Sequence, residues 1–116
     1  MFSDPIVVNL AAVPHNLARV QDDGLRSVYN NPDRTLIGTI SHQPAKGRVR
    51  RMFRIDQTKI AADPLTSVNK SVTLGVYFVM DVPDFGYSVA EVQDLVDALV
   101  LQMVDATTAK MLADEH

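Results

Sequence analysis

Residues 46–56 read KGRVRRMFRID, and this stretch, Lys46 to Asp56, decides the fold. Its even positions Arg48, Arg50 and Arg54 fall on one side of an extended chain and its odd positions Val49, Phe53 and Ile55 on the other, the period of two of a half-buried β-strand. Arg51 and Met52 depart from the alternation. Five of the eleven Lys and Arg residues lie between Lys46 and Arg54 with no acidic residue among them, although the net charge of the chain is -3. A strand that is apolar on one side and arginine-rich on the other implies an anionic partner for the basic side.

The stretches around it continue the pattern. On the N-terminal side, Thr35 to Gln43 alternates Leu36 and Ile40 with Thr39, Ser41 and Gln43, and Gly38 weakens the strand or marks a bulge. Pro44-Ala45-Lys46-Gly47 reads as the hairpin loop into the basic strand. On the C-terminal side, Ser71 to Val82 places Val72, Leu74, Val76, Phe78 and Met80 on one face and Ser71, Thr73, Gly75 and Tyr77 on the other. The intervening Gln57 to Lys70, with Asp63-Pro64 and mixed polarity, reads as a long loop, with or without a short strand at its start. An antiparallel meander of three strands follows, one face apolar and the other polar and rich in Arg. Upstream, Pro5 to Val13 and Asn16 to Gln21 suggest a hairpin broken at Pro14 and His15. Leu25 to Asn30 adds a third short strand between the turns Asp22-Asp23-Gly24 and Asn31-Pro32-Asp33.

The apolar face needs a cover, and helices come next. Ser88-Val89-Ala90-Glu91 is a capping box, and Tyr87 and Val92 occupy staple positions. Val89, Val92, Leu95, Val96, Leu99, Val100, Met103 and Val104 then recur at helical spacing, so a helix runs from Ser88 to about Val104. Ala106 to Asp114 forms a second, shorter helix capped by Thr107 or Asp105, with Met111 and Leu112 apolar. Strands followed by helices define an α+β fold with the helices on one face of an antiparallel sheet. A helix about 25 Å long covers only two or three strands. An interlocked dimer, with sheets joined edge to edge and helices packed over the partner, would cover the rest and remove an exposed sheet edge. The row Val92, Leu95, Val96 and Leu99 is the expected dimer interface.

Composition narrows the function classes. A chain of 116 residues, 47% hydrophobic and 22% charged, fits a single domain spanning 1–116. The absence of cysteine excludes disulfides, thiolate zinc sites and cysteine nucleophiles. The apolar run Ile6 to Val13 follows Asp4 and not a basic segment, unlike a signal peptide, and no run approaches the ~20 residues of a membrane span. Charge is segregated: Arg34 to Lys59 carries seven basic residues against Asp56, while from Asp81 onward eight acidic residues face only Lys110. His15, His42 and His116 lack metal-ligand spacing, and adjacent Ser41 and His42 on a strand point to opposite faces, which disfavours a nucleophile and base pair. Asp81 and Asp84 flank Pro83 just before a helix start, where negative charge suits the dipole. No catalytic residue, metal or cofactor is expected.

In the order and spacing of these elements the chain resembles the coat proteins of the single-stranded RNA bacteriophages, the levivirus-like group. The matching features are the N-terminal hairpin, the Thr39-x-Ser41 pair, the basic strand at 48–56, the long loop, the Leu74-x-Val76-x-Phe78 row and the two C-terminal helices. The resemblance implies an interlocked homodimer that assembles into an icosahedral capsid, made in the host bacterial cytoplasm and located in the virion. Its sheet would face the single-stranded RNA genome and its helices outward. In that family, polar residues of the last three strands bind an RNA hairpin near the replicase start, which represses translation and marks the genome for packaging. Carried over by position, Thr39, Ser41 and Gln43, then Arg48, Arg50 and Arg54, then Thr73 and Tyr77 would form the RNA-binding face. The better-known members carry a Tyr and an Asn, two apart, where this chain has Thr73 and Gly75, so the base-stacking platform is absent or moved to Tyr77. The loop 57–70 would be the joint between dimers, adopting more than one conformation. A small dimeric RNA-binding regulator that forms no capsid is the alternative; a ligand carrier or enzyme would need a polar pocket between sheet and helix.

Overall fold

The computed structural model describes Phe2 and residues 4–115. The chain runs through β1 (Ile6–Leu10), β2 (Val13–Asp22), β3 (Arg26–Asn30), β4 (Leu36–Ala45), β5 (Arg48–Ala62) and β6 (Asn69–Pro83), then α1 (Val89–Gln102) and α2 (Asp105–Leu112). The strands form one antiparallel sheet in sequence order, β1 to β6, and the fold is α+β as the sequence implies. It divides into two compact units, Met1–Asp84 with the sheet and Phe85–His116 with the helices.

Two features of the first four strands differ from the sequence reading. The first hairpin turns at Ala11-Ala12, not at Pro14-His15: both alanines have positive φ, 52° and 64°, and Leu10 pairs with Val13 across a two-residue loop. Such turns favour Asn and Gly because other residues in that region cost roughly 1–2 kcal/mol each, so Ala-Ala gives no warning of one. Gly38 marks no bulge, since it sits in regular register between Tyr29 and Ile55, with Ile6 Cδ1 and Leu17 Cδ1 lying over its bare Cα. The irregularity is in β2, where the register shifts between Arg19 and Gln21.

The long loop at 57–70 is also corrected. β5 continues through Ala62 and β6 begins at Asn69, so the two pair residue for residue from Arg48↔Pro83 to Ala62↔Asn69 and only Asp63 to Val68 connect them. Polar Gln57, Thr58 and Lys59 look like loop, yet ladder bonds and a Thr58–Thr73 hydroxyl pair at 3.0 Å carry the strand outward.

Residues opposite each other in an antiparallel ladder share a face, so the register divides the sheet cleanly. One face carries Leu17, Tyr29, Leu36 and Ile40, all buried, with Ile6, Val8, Phe53 and Ile55 packed around them. Along the same face toward the edge strand lie Val72, Leu74, Val76, Phe78 and Met80, of which Leu74 and Val76 are 65% and 64% exposed.

In the helical unit, Ser88 caps α1 as the sequence indicates: its Oγ accepts from Glu91 N (3.2 Å) and its own N–H donates to Glu91 Oε1 (3.3 Å). α2 has no side-chain cap. Its N-cap is Val104, and Asp105 belongs to the first turn, where its charge favours the helix dipole without capping it; Thr107 lies further inside. No residue of either helix is buried, and Leu95 is 71% exposed.

Candidate nucleic-acid interface

The second face of the sheet is built from the even positions of β5. Arg48, Arg50, Met52, Arg54 and Asp56 stand opposite Ala45, Gln43, Ser41, Thr39 and Ile37 of β4 on one side. On the other they stand opposite Pro83, Asp81, Val79, Tyr77 and Gly75 of β6. All eight residues singled out for RNA therefore share one face, Thr73 through its pairing with Thr58. Met52 belongs to this face, and Arg51 to the other, where its Nη1 lies 3.0 Å from His42 Nδ1. Ser41 and His42 consequently point apart.

Proximity does not make the eight equivalent. Thr39 and Ser41 are nearly buried, at 7% and 6% exposure, short side chains on the floor between longer neighbours; in register Thr39 is flanked by Val28 and Arg54, and Ser41 by Arg26 and Met52. Ser41 Oγ has no hydrogen-bond partner. Gln43, Arg48, Arg50, Thr73 and Tyr77 are exposed, and Arg54 is partly so.

Two of the three arginines are already engaged. Arg48 Nε donates to Asp81 Oδ1 at 3.0 Å, both side chains being well exposed. Arg54 Nε lies 2.9 and 2.8 Å from the two oxygens of Asp56, two residues along the same strand. The guanidinium of Arg54 also lies 4.3 Å from the centroid of the Tyr77 ring, a cation–π distance. The hydrogen bond to Asp56 holds the Arg54 guanidinium above its ordinary pKa, against a smaller opposing effect of burial. Gly75 leaves room for this group: a Cβ there would come within 2.6 Å of Asp56 Oδ1 and 3.0 Å of Tyr77 Cε1.

The sequence reading did not include Arg26. It opens β3, stands opposite Ser41 on the same face, and is exposed; its backbone N–H donates to Asp23 Oδ1 at 2.8 Å, but its side chain makes no ion pair among the described residues. The signal for it lay in alternation within Leu25 to Asn30, which was too short to assign a face without the register. Asp56 and Asp81 were equally illegible as partners of arginines, because one sits at the end of the basic run and the other beside a proline.

No group of His, Cys, Asp and Glu among the described residues could hold a metal, and no helix is long and apolar enough to cross a membrane. His116 lies outside the described residues. The arrangement suits an extended polyanion lying across the sheet better than a small ligand.

The fold, six antiparallel strands in sequence order followed by two helices, is that of the coat proteins of single-stranded RNA bacteriophages. The virus-like particle of bacteriophage AVE019 matches with a TM-score of 0.80 at 8% identity, over 96% of this chain and 94% of that one. The virus-like particle of Beihai levi-like virus 21 matches with a TM-score of 0.71 at 12% identity (97% and 95%), and the capsid protein of bacteriophage GA with 0.63 at 14% (97% and 95%). No protein-family model and no curated protein sequence matches the chain. The shared architecture therefore extends over nearly the whole length at low sequence identity.

Proposed function

We propose that this chain is the coat subunit of a single-stranded RNA bacteriophage, both of its units serving as one coat-protein domain. Two copies join along β6 into an interlocked dimer, dimers close into an icosahedral capsid, and the arginine-bearing face lies against the packaged RNA inside the virion. Synthesis in the host cytoplasm, and repression of replicase translation through an RNA hairpin, belong to the same reading. The role is structural and not catalytic.

The supporting observation is the unfinished apolar surface of a chain with this fold. β6 is a fifteen-residue edge strand whose apolar row continues the buried core yet remains exposed, and Leu95 and Leu99 of α1 are exposed as well. Single globular chains rarely leave a long edge strand and a contiguous apolar row open to water. Pairing of β6 with a second β6 satisfies the edge, and the helix row Val92, Leu95, Val96 and Leu99 supplies the matching cover.

Electron microscopy of purified recombinant protein tests the proposal. Closed particles containing RNA are expected. Discrete RNA-binding dimers without particles would instead indicate a small regulator, and a monomer without affinity for RNA would remove both readings.

A further inference from the structure

On the basic face, the arginines that look alike in sequence differ in what already holds them. Arg48 is taken by Asp81, and Arg54 by a two-oxygen bond to Asp56 beneath the Tyr77 ring. A guanidinium whose charge is already balanced by a carboxylate through Nε gains less from a phosphate than one with no ion pair, because the phosphate must share the charge with the carboxylate beside it. Arg50 and Arg26 have no such partner among the described residues, although Asp81 stands opposite Arg50 in register, engaged by Arg48. Arg26 pairs with Ser41 and Arg50 with Gln43, so the two arginines lie diagonally across β4, roughly 11–12 Å apart for two strand spacings and a two-residue offset. Between them are the Gln43 amide and the buried, unpartnered hydroxyl of Ser41. A buried hydroxyl without a partner is costly, and an anion oxygen seated beside Arg26 would supply one.

From this we infer a phosphodiester-binding site formed by Arg26 and Arg50 across β4, with Arg54 a positioning residue that holds Tyr77 and not itself a phosphate ligand. The inference rests on the proposal that RNA lies on this face.

The test is a salt titration, from about 50 to 200 mM, of the binding of a fluorescein-labelled single-stranded RNA oligonucleotide to full-length protein dissociated from its particles and freed of packaged RNA, and to its variants treated alike, with folding checked by thermal melting. Arg26→Ala and Arg50→Ala should each weaken binding and reduce the slope of log K against log salt by about 0.7 for each phosphate left without its arginine, about 1.4 when this happens in both copies of a dimer. Arg54→Ala should weaken binding with an unchanged slope, and Arg54→Lys should not rescue it, because lysine keeps the charge but has no planar guanidinium to hold Asp56 through Nε while lying against the Tyr77 ring. Ser41→Ala should lower affinity several-fold, again without changing the slope. If the parent protein binds RNA but Arg26→Ala and Arg50→Ala leave the slope intact, the inference is wrong and the RNA reading stands. A reduced slope for Arg54→Ala that Arg54→Lys restores would likewise overturn it. If the parent protein binds no RNA at any salt, the RNA reading itself fails and the inference falls with it.

Discussion

Strands β2 to β4 and the β6–α1 region carry apolar rows of similar quality, but the two meet different ends. Leu17, Tyr29, Leu36 and Ile40 are buried by their own chain, with Ile6 and Val8 of β1 packed against them. On the same face of the same sheet, Leu74 and Val76 stay open, as do Leu95 and Leu99 in the helical unit. Hydrophobic periodicity says that a face will be buried and is silent about which chain will bury it. The partition follows from connectivity: a tight hairpin brings β1 beside β2, while β6 has a neighbour on one side only. The first region is thus completed by its own chain, while the second is the surface that the proposed dimer would cover.

The largest effect expected from this contrast is at Leu95. Replacing it with Asp would place an unpaired charge in the proposed interface at a cost of several kcal/mol, so particles should be lost and soluble protein with them. Size-exclusion chromatography and microscopy read the outcome; a soluble, folded monomer would break the interlocked-dimer half of the comparison. Leu17→Ala probes the other half. Its cost, about 2–5 kcal/mol for a fully buried leucine, should appear in urea denaturation as a loss within each chain, with assembly unaltered at temperatures where the variant is folded. If Leu17→Ala and Leu95→Asp gave the same assembly defect at equal stability, the two regions would not be distinct.

A smaller effect sharpens the comparison on the polar face. Gly75 has no positive φ, so alanine is acceptable to the backbone, and the difficulty is only the space held by Asp56, Tyr77 and Arg54. Gly75→Ala should cost about 1–3 kcal/mol as an overpacked site. In a double-mutant cycle with Asp56→Ala most of that cost should vanish, since the closest atom is removed. A cost that persists in the Asp56→Ala background would mean that the Arg54–Asp56–Tyr77 group is not what excludes a side chain.

How much of this was legible in the sequence depends on whether water was on one side of the element. In β4 and in the inner halves of β5 and β6 one face is apolar and one polar, so period two identified strands and faces together, down to the shared side of Arg48, Arg50 and Arg54. In the outer part of β5 no alternation survives: Lys59 stands opposite Val72 and Ile60 opposite Ser71, so residues 57–62 read as loop although β6 was legible as a strand from Ser71. The capping box was legible because its chemistry is local, spanning Ser88 to Glu91. Arg26, and the capture of Arg48 and Arg54 by Asp81 and Asp56, depend on register or rotamer, which composition and spacing do not carry.

The smallest expected effect concerns the tip of that long hairpin, which in the proposed capsid would be the joint between dimers, the role the sequence reading gave to residues 57–70. Asp63 braces the tip: its Oδ1 accepts from Leu65 N at 2.8 Å, its Oδ2 meets Lys70 Nζ at 3.0 Å, and its carbonyl accepts from Ser67 N at 2.8 Å, while Leu65 projects with 93% exposure. The Leu65 N–H first, and then Lys70, lower the pKa of the Asp63 carboxyl, against a smaller upward effect of desolvation. A carboxylate whose pKa is lower folded than unfolded contributes its stability in full above the unfolded value, and loses it as pH falls through the folded one. The brace should thus be intact at neutral pH and released only below about pH 4. Amide hydrogen exchange, corrected for intrinsic rates, should show Leu65 losing protection in that acid range while the β4 amides keep theirs. Asp63→Ala should produce the same local loss at pH 7, sparing the dimer and disturbing only particle closure. If Leu65 is equally protected with and without the Asp63 carboxylate, the side chain is not the brace. If unbraced protein still closes into normal particles, the tip is not the joint.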